Sequence, residues 1–416
     1  MNKPKVLVAQ PGARKHYQEP LLFYRWGILD RLYTDFYSGH NALANLLRHP
    51  IIYKHLPSLL KKGLDRYEPG LKDASVTHFP LLAYQVLKAI NKASIEETGK
   101  IYVWSGQELC RRFINSGLGN ANIIYGFNST SIEFFEYAKQ HGLCCILDQT
   151  QAERSLVHKL LQEEEERWPG WSLSPFIVND GDLKLLQREQ GEQDLADKII
   201  CGSSFVKNSL IARGVNANKI FVVSLGRLKD EKSLHQPIIL NPQERGNELR
   251  ILFAGSVGLR KGIPYLLEAL RKIKGKIPFI CKIAGSLEIK PERITEYSDV
   301  CEFLGRVSRS HIKDLYTWAD VFVLPSICEG SAMVTYEAMS SGLPIITTPN
   351  SGSIVRDEID GFIIPVRDIE AIADRLLKIY TLRKSFEQIA NTKENLKYVM
   401  KESENKLHQI ISDCHG

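Results

Sequence analysis

The chain has 416 residues, 44% of them hydrophobic and 25% charged, proportions of an ordinary globular protein that exclude a disordered chain and a disulfide-stapled miniature. At ~100–200 residues per domain this length predicts two or three domains. A formal charge of +6 permits an anionic partner without calling for nucleic acid, and no nucleic-acid partner is expected.

Eight cysteines are too few to staple a chain this long. Cys144 and Cys145 read as apolar strand residues, and Cys110, Cys201, Cys281, Cys301, Cys328 and Cys414 keep no metal-ligand spacing, which points to a reducing cytosol. The first apolar run, residues 6–9, is too short for a signal-peptide core. Nowhere do ~18 uncharged apolar residues follow one another, so neither secretion nor membrane spanning is expected.

In chain order, residues 6–9 read as a strand, followed by the loop Gly12-Ala-Arg-Lys-His16. Residues 42–71 set Leu43, Leu46, Leu47, Ile51, Ile52, Leu56, Leu59 and Leu60 among Arg48, Lys54, Lys61, Lys62 and Arg66, and Pro50 and Pro57 divide them into short helices. Such a basic amphipathic stretch suits either an anionic bilayer surface or an ordinary helix pair with solvated cations. Strands are predicted at 101–104, 123–126 and 144–147, with a helix over 131–141 that gathers Phe134, Phe135 and Ala138 on one side. The charge run 163–167 reads as a solvated face. The rhythm resumes with strands at 198–201, 220–224, 251–255, 279–285, 300–304, 321–325 and 344–348. Strands alternating with helices predict parallel sheets covered on both faces, hence an α/β chain with two such domains. The polar stretch 229–250, without periodicity, is the expected linker. The division is then 1–228, linker 229–250, 251–390, and a helical segment 391–416 whose return to the first domain is left open.

The strongest local signal runs from Val321-Phe-Val-Leu-Pro-Ser326 through Cys328-Glu-Gly-Ser-Ala-Met-Val-Thr-Tyr-Glu-Ala-Met339 to Gly342-Leu-Pro344. It reads as strand, loop, helix and stop, with Ser331 as the N-cap and Gly342 as the C-cap. A helix opening at the carboxyl end of a strand offers free N–H groups to an anion or a sugar hydroxyl. Glu329 precedes those donors and Glu337 lies ~9 Å along the axis from Ser331, so one carboxylate reaches a ligand's front and the other its middle. Taken alone, the two glutamates would be solvated surface acids. Context argues otherwise: the turn Gly255-Ser-Val-Gly-Leu-Arg-Lys-Gly262 follows a predicted strand with Arg260 and Lys261 available for phosphate oxygens, and Gly305-Arg-Val-Ser308 follows another.

From about residue 196 to 377 the chain resembles the family-four glycosyltransferases, the group 1 glycosyl transferases: retaining enzymes of the GT-B fold, in which two Rossmann-like domains face each other across a cleft. Glu329 and Glu337 match the two ends of that family's E-x7-E motif. The resemblance implies that Glu329 contacts the transferred sugar and Glu337 the ribose. Ser331, Ala332 and Met333 would give backbone donors, Lys261 would bind the diphosphate, and Val307, beside Arg306, would read the base through its backbone. Gly255 and Ser256 open the donor turn. Ser256 stands where the family has an arginine, for which Arg260 is the substitute. Gly226 matches the glycine of the family's Pro-Asn-Gly-Val-Asp segment.

The first domain departs further, with Gly12 where relatives carry a Gly-Gly pair, and Asp148 and Gln149 where many carry a sugar-contacting histidine. Gly12, His16, Asp148 and Gln149 are therefore the acceptor-side candidates. The implied reaction takes a sugar from a nucleotide-diphosphate sugar to a glycan, glycolipid or small-molecule hydroxyl, with no metal or other cofactor required. It would occur in the cytoplasm, or at the inner face of an anionic membrane if residues 42–71 dock there. A sugar-nucleotide-binding subunit without catalysis is the alternative. A nicotinamide oxidoreductase is disfavoured because no G-x-G-x-x-G follows the first strand.

Overall fold

Aliphatic and β-branched runs buried on both faces can only form the interior of a parallel sheet. The computed structural model describes residues 3–39, 42–224, 246–382 and 392–414. Its first seven strands are β1 (Val6–Gln10), β2 (Leu29–Thr34), β3 (Val76–His78), β4 (Ile123–Phe127), β5 (Cys144–Gln149), β6 (Lys198–Cys201) and β7 (Ile220–Val222). The rest are β8 (Leu249–Ala254), β9 (Phe279–Ala284), β10 (Glu302–Gly305), β11 (Val321–Leu324), β12 (Ile345–Thr347) and β13 (Gly361–Ile363). They form two sheets, ordered β3-β2-β1-β4-β5-β6-β7 and β10-β9-β8-β11-β12-β13. Every strand pair in both sheets is parallel.

The α/β reading of the sequence holds: these are two Rossmann-like units. In each, the order runs outward one way from the first strand and then the other, so a crevice opens beyond the carboxyl ends of β1 and β4, and of β8 and β11. Period-two alternation supplies the cores. Val6 and Val8 of β1 join Phe23, Tyr125 and Ile146 on one face, whereas Leu7 and Ala9 join Phe113, Phe134 and Phe135 on the other. In the second sheet, Ile251, Phe253, Val321 and Val323 pack with Leu266, Leu270 and Ile273 of the helix Ile263–Ile273.

Some elements differ from the sequence reading. Residues 101–104 are not a strand but part of the helix Ile95–Ser116, started by a capping box between Ser94 and Glu97 and ended at Gly117. The paired cap outweighs the β propensity of Ile-Tyr-Val-Trp. Three strands, β2, β3 and β13, carry no strong strand signal: β2 contains Asp30 and Arg31, and the other two are three residues long. Leu249 is fully buried and pairs with Phe279, so β8 begins inside the stretch read as a linker. The remainder of that stretch, up to residue 245, lies outside the described residues.

The run 163–167 is no solvated face. Glu164 is fully buried and accepts from Tyr265 (Oη to Oε2, 2.9 Å) and Arg367 (Nε to Oε1, 2.6 Å), while Glu163 takes the same guanidinium at 2.8 Å. This end of the helix Arg154–Arg167 thus clasps residues of the second sheet's unit.

The helix Thr392–Ser412 lies on both cores, giving Leu396 and Met400 to the second and Leu407, Ile410 and Ile411 to the first. Trp26 meets His408 edge-on, with ring centroids 4.9 Å apart. Ile411→Ala, which empties a fully buried site, is expected to lower the unfolding free energy by about 2–5 kcal/mol. A urea titration reads this as a lower midpoint; an unchanged midpoint would contradict the role of this helix in the first core.

Candidate active site

The loops after β8 and β11 meet at the crevice of the second sheet, and the loop after β10 leaves the same carboxyl edge. Gly255 leaves β8 at φ +146°, and Gly262 closes the turn at φ +70°. A Cβ on Gly262 would lie 2.0 Å from the Pro325 carbonyl oxygen. Only glycine allows the two loops to press together in that backbone conformation. The contact is reinforced where Ile327 N–H donates to the Arg260 carbonyl at 2.9 Å. The Lys261 ammonium sits 2.8 Å from Glu329 Oε1, and Arg260 Nε lies 3.4 Å from the same oxygen while donating to the Cys328 carbonyl at 3.0 Å. The three charged residues expected to surround one ligand are therefore together, paired with one another. Glu329 and Lys261 are mostly buried, and Arg260 is the most open. Ser256 is half-buried in the same turn.

In the loop after β10, Arg306 is exposed and Val307 half-buried against the second core. Ser308 caps the helix Arg309–Trp318, accepting from the His311 N–H at 3.2 Å. From that helix the Tyr316 hydroxyl donates to Glu337 Oε2 at 3.0 Å. Burial and the Glu337 charge push the Tyr316 phenol far above its ordinary range, so it stays a donor. Glu337 is exposed in the helix Met333–Ser340 and so is steered while open to a ligand. Sequence reasoning missed Tyr316, since no local motif links two helices that the sheet brings together.

The helix starts differently from the expectation. Its N-cap is Ala332, with no side-chain cap, and the Ser331 hydroxyl instead pairs with the Tyr336 hydroxyl at 3.1 Å. Of the three expected donors, the Ala332 N–H is committed to the Ser351 carbonyl at 3.0 Å. At the far end Gly342 lies one residue beyond the C-cap Ser341, at φ +80°. There Gly342 donates to Met339 and Leu343 to Ala338, a Schellman arrangement. Gly226 lies outside the described residues.

The first sheet contributes a strained turn. After β1, Gly12 (φ +62°) donates to Asp35 Oδ1 at 2.7 Å, and then Lys15, His16 and Tyr17 are left-handed in succession at φ 42°, 54° and 64°. Each such non-glycine residue costs about 1–2 kcal/mol. An ionic anchor offsets that cost: Lys15 Nζ lies 2.5 Å from Asp148 Oδ2 and 3.0 Å from Glu19 Oε1, and the Tyr125 hydroxyl donates to Asp148 at 2.6 Å. Burial pulls the ammonium's proton affinity down, but Asp148 and Glu19 outweigh it and hold Lys15 charged. Burial raises Glu19 towards its protonated form.

Two acceptor-side candidates are engaged within the first unit. Asp148 is fully buried as the anchor of Lys15, and Gln149 is fully buried between Gln193, which donates to it at 3.2 Å, and the Gln151 carbonyl, to which it donates at 3.1 Å. Both close the carboxyl end of β5 and are shielded from solvent. Gly12 is half-buried and His16 exposed.

The loops of the two units meet at one seam. A Cβ on Gly330 would stand 1.8 Å from the Thr150 carbonyl oxygen, and one on Gly202 would stand 2.8 Å from Ser331 Cβ. The Ser203 hydroxyl donates to the Gly330 carbonyl at 2.6 Å. Among the described residues no three His, Cys, Asp or Glu side chains gather as metal ligands, and no helix is long and apolar enough to cross a membrane.

Known proteins show the same fold and, over part of the chain, a related sequence. The model of the family described as glycosyl transferases group 1 matches residues 239–396. An uncharacterized glycosyltransferase of Methanocaldococcus jannaschii is 33% identical over 152 residues, covering 33% of this chain and 38% of that protein. The UDP-Gal:alpha-D-GlcNAc-diphosphoundecaprenol alpha-1,3-galactosyltransferase of Escherichia coli is 29% identical over 197 residues, 44% of this chain and 49% of that protein. The chain thus spans less than half the length of either relative. Among solved structures, Anabaena HepE in complex with UDP is similar with a TM-score of 0.57 and 13% identity, over 98% of this chain and 100% of that one. That likeness establishes the GT-B fold.

Gly330→Ala is expected to force the Thr150 carbonyl away, at a cost of about 1–3 kcal/mol. Gly142→Ala, a left-handed glycine with open space around its Cβ position, is the comparison and should cost less. Equal melting temperatures for the two variants would contradict a tight seam.

Proposed function

We propose, from the match of residues 239–396 to the glycosyl transferases group 1 model, that the chain is a retaining glycosyltransferase that moves a sugar from a nucleotide-diphosphate sugar to a hydroxyl of a glycan, glycolipid or small molecule. The observation that carries this reading is the Lys261–Glu329–Arg260 cluster at the crevice, with Glu337 steered beside it by Tyr316. Breaking an anomeric bond to a diphosphate develops negative charge on the leaving group, and fixed cations and N–H dipoles stabilise it most where water is scarce. Lys261 and Arg260 supply the cations, and the start of the helix Met333–Ser340 supplies dipoles. In the reading offered, the diphosphate takes over the two cations and releases Glu329 to orient the sugar. Glu337 holds the ribose. Leaving and attacking oxygens share one face, and the diphosphate oxygen takes the acceptor's proton. The residues supply this charge stabilisation without a metal ion. UDP bound to HepE is in keeping with a nucleotide donor.

A cytoplasmic enzyme that touches the inner membrane face fits residues 42–71. There Leu43, Leu46, Ile51 and Leu60 are exposed beside the exposed cations Lys54 and Lys62. Two cations expected at the bilayer are used internally: Arg48 stacks on Tyr67 at 3.6 Å and donates to the Ser38 and Leu64 carbonyls at 3.0 Å, and Arg66 Nη1 pairs with Asp35 at 2.8 Å. The E. coli relative's name includes a diphosphoundecaprenol-linked sugar, and a lipid-linked acceptor would suit such a surface.

With chelator in excess throughout, Glu337→Ala should raise the donor's dissociation constant about tenfold, and Glu329→Ala should lower kcat about a hundredfold with a smaller effect on binding. Equal effects on every parameter would contradict the division of labour. Binding without hydrolysis or transfer would leave the non-catalytic sugar-nucleotide binder. Flotation with anionic liposomes should capture the chain at low salt and release it at high salt, because each surface lysine contributes about 1 kcal/mol. Lys54→Glu with Lys62→Glu should abolish capture. No flotation at low salt would contradict the membrane reading.

A further inference from the structure

Period-two alternation along β5 turns Cys144 to the face that carries Ile146, and Cys145 to the face that carries Leu147. On the first of these faces lies the end of the helix Thr392–Ser412, which brings Leu407, Ile410, Ile411 and, just past its last residue, Cys414 against the same core. There the thiols of Cys144 and Cys414 are hydrogen-bonded to each other, and both residues are half-buried. Cys144 is the first residue of β5, so the pair stands at the amino-terminal edge of the first sheet, away from the crevice.

Both partners are held on fixed elements. Lys198, the first residue of β6, donates from Nζ to the Ile410 carbonyl at 3.1 Å and lies 3.9 Å from Asp413 Oδ2. An ammonium at the carboxyl end of a helix meets the negative pole of its dipole. Cys414 is thereby presented by a docked turn. The start of β5 is fixed by Asp197, which accepts the Cys145 N–H at 2.7 Å and donates its own N–H to the Cys145 carbonyl at 2.9 Å.

The other six cysteines differ. Cys110, Cys145, Cys201, Cys281 and Cys328 are buried, and half-buried Cys301 directs its thiol to the Tyr297 carbonyl at 3.4 Å. Burial raises the thiols of all six, which stay protonated and unreactive. Cys414 goes the other way: the hydrogen bond from Cys144 lowers it, with burial opposing and the Lys198 ammonium assisting. Cys144 is raised, first by that same hydrogen bond and then by burial. One thiol is thus a nucleophile and its neighbour keeps the proton, the division of roles that disulfide exchange uses.

We infer that Cys144 and Cys414 are a redox-modification site, at which a small-molecule disulfide such as oxidised glutathione closes a bond that fastens the end of the helix Thr392–Ser412 to the first sheet. The Cys414 thiolate attacks one sulfur of the oxidant, forms a mixed disulfide and expels one glutathione thiolate, which takes up the proton that Cys414 released. The Cys144 sulfur then attacks the Cys414 sulfur of the mixed disulfide, and its proton leaves with the second glutathione. The two protein thiols lose two electrons and two protons, and one glutathione disulfide becomes two thiols. Under reducing conditions the pair rests as a dithiol. Because the helix lies on both cores, the bond restrains one of the ties between the units. The inference is independent of the proposed transfer reaction.

Incubation of the native full chain with oxidised glutathione, followed by alkylation and peptide mapping by mass spectrometry, tests this without any variant. Two of the eight thiols should be lost, the peptides of Cys144 and Cys414 should be joined, and no glutathione should remain attached. Dithiothreitol should restore both thiols. Cys144→Ser should stop at the mixed disulfide, with one glutathione on Cys414, whereas Cys414→Ser should react about tenfold more slowly. Oxidation should raise the melting temperature of the wild-type chain and leave that of Cys144→Ser unchanged. Retention of all eight thiols, a bond between other cysteines, or glutathione spread over several positions would overturn the site. A joined pair with an unchanged melting temperature would overturn the fastening.

Discussion

Backbone meeting backbone at the seam is the constraint on which the rest of the structure depends. Gly202 and Thr150 on one side, and Gly330 and Gly352 on the other, approach so closely that a single methyl group at Gly330 would overlap the Thr150 carbonyl. The loop that carries Glu329 is thereby fixed against the first unit as well as against its own sheet. It receives the Ser203 hydroxyl on one flank and sends the Glu329 N–H to the Asn350 carbonyl at 2.9 Å on the other. A carboxylate held on a rigid loop can keep two cations in fixed positions, and preorganisation of that kind is what stabilises developing charge without rearrangement.

Away from the seam the two units are tied by ionic and apolar contacts of different character. Glu164 is fully buried and satisfied by Tyr265 and Arg367, so removal of Arg367 would leave a buried carboxylate without its counter-charge. The helix Thr392–Ser412 adds a non-directional tie by lying on both cores. Beneath the first unit's loop, Lys15, Asp148, Glu19 and Tyr125 form a buried polar network that maintains a backbone conformation few residues adopt. Strain near the cleft is thus sustained by packing that lies deeper.

Legibility in the sequence followed the length scale of the physics. Buried strands such as β4, β5 and β11 announced themselves because an aliphatic run covered on both faces has few alternatives, and the donor loops were found because glycines and charged residues sit at fixed offsets after those strands. Residues 101–104 misled because four β-prone residues outvoted the capping box at Ser94 and Glu97, a signal that lies further upstream. Ser331 looked like a cap on residue type alone, yet the Ser351 carbonyl, twenty positions away in the chain, takes over the helix start. Lys15 and Tyr316 could not be found locally, since their meaning depends on Asp148 and Glu337 in other elements. The burial of Asp148 and Gln149 likewise follows from where β5 stands in the sheet, which no single-strand pattern states.

The central claim is that three loops at the carboxyl edge of the second sheet form one nucleotide-sugar site facing the first unit. Hydrogen exchange on the full chain, with and without the nucleotide sugar that most raises its melting temperature, tests it most directly. The account predicts slowed exchange together at residues 255–262, 306–308 and 327–337, with no change at the exposed helices of residues 50–64. Protection confined to other segments, with those three loops unaffected at saturation, would contradict it.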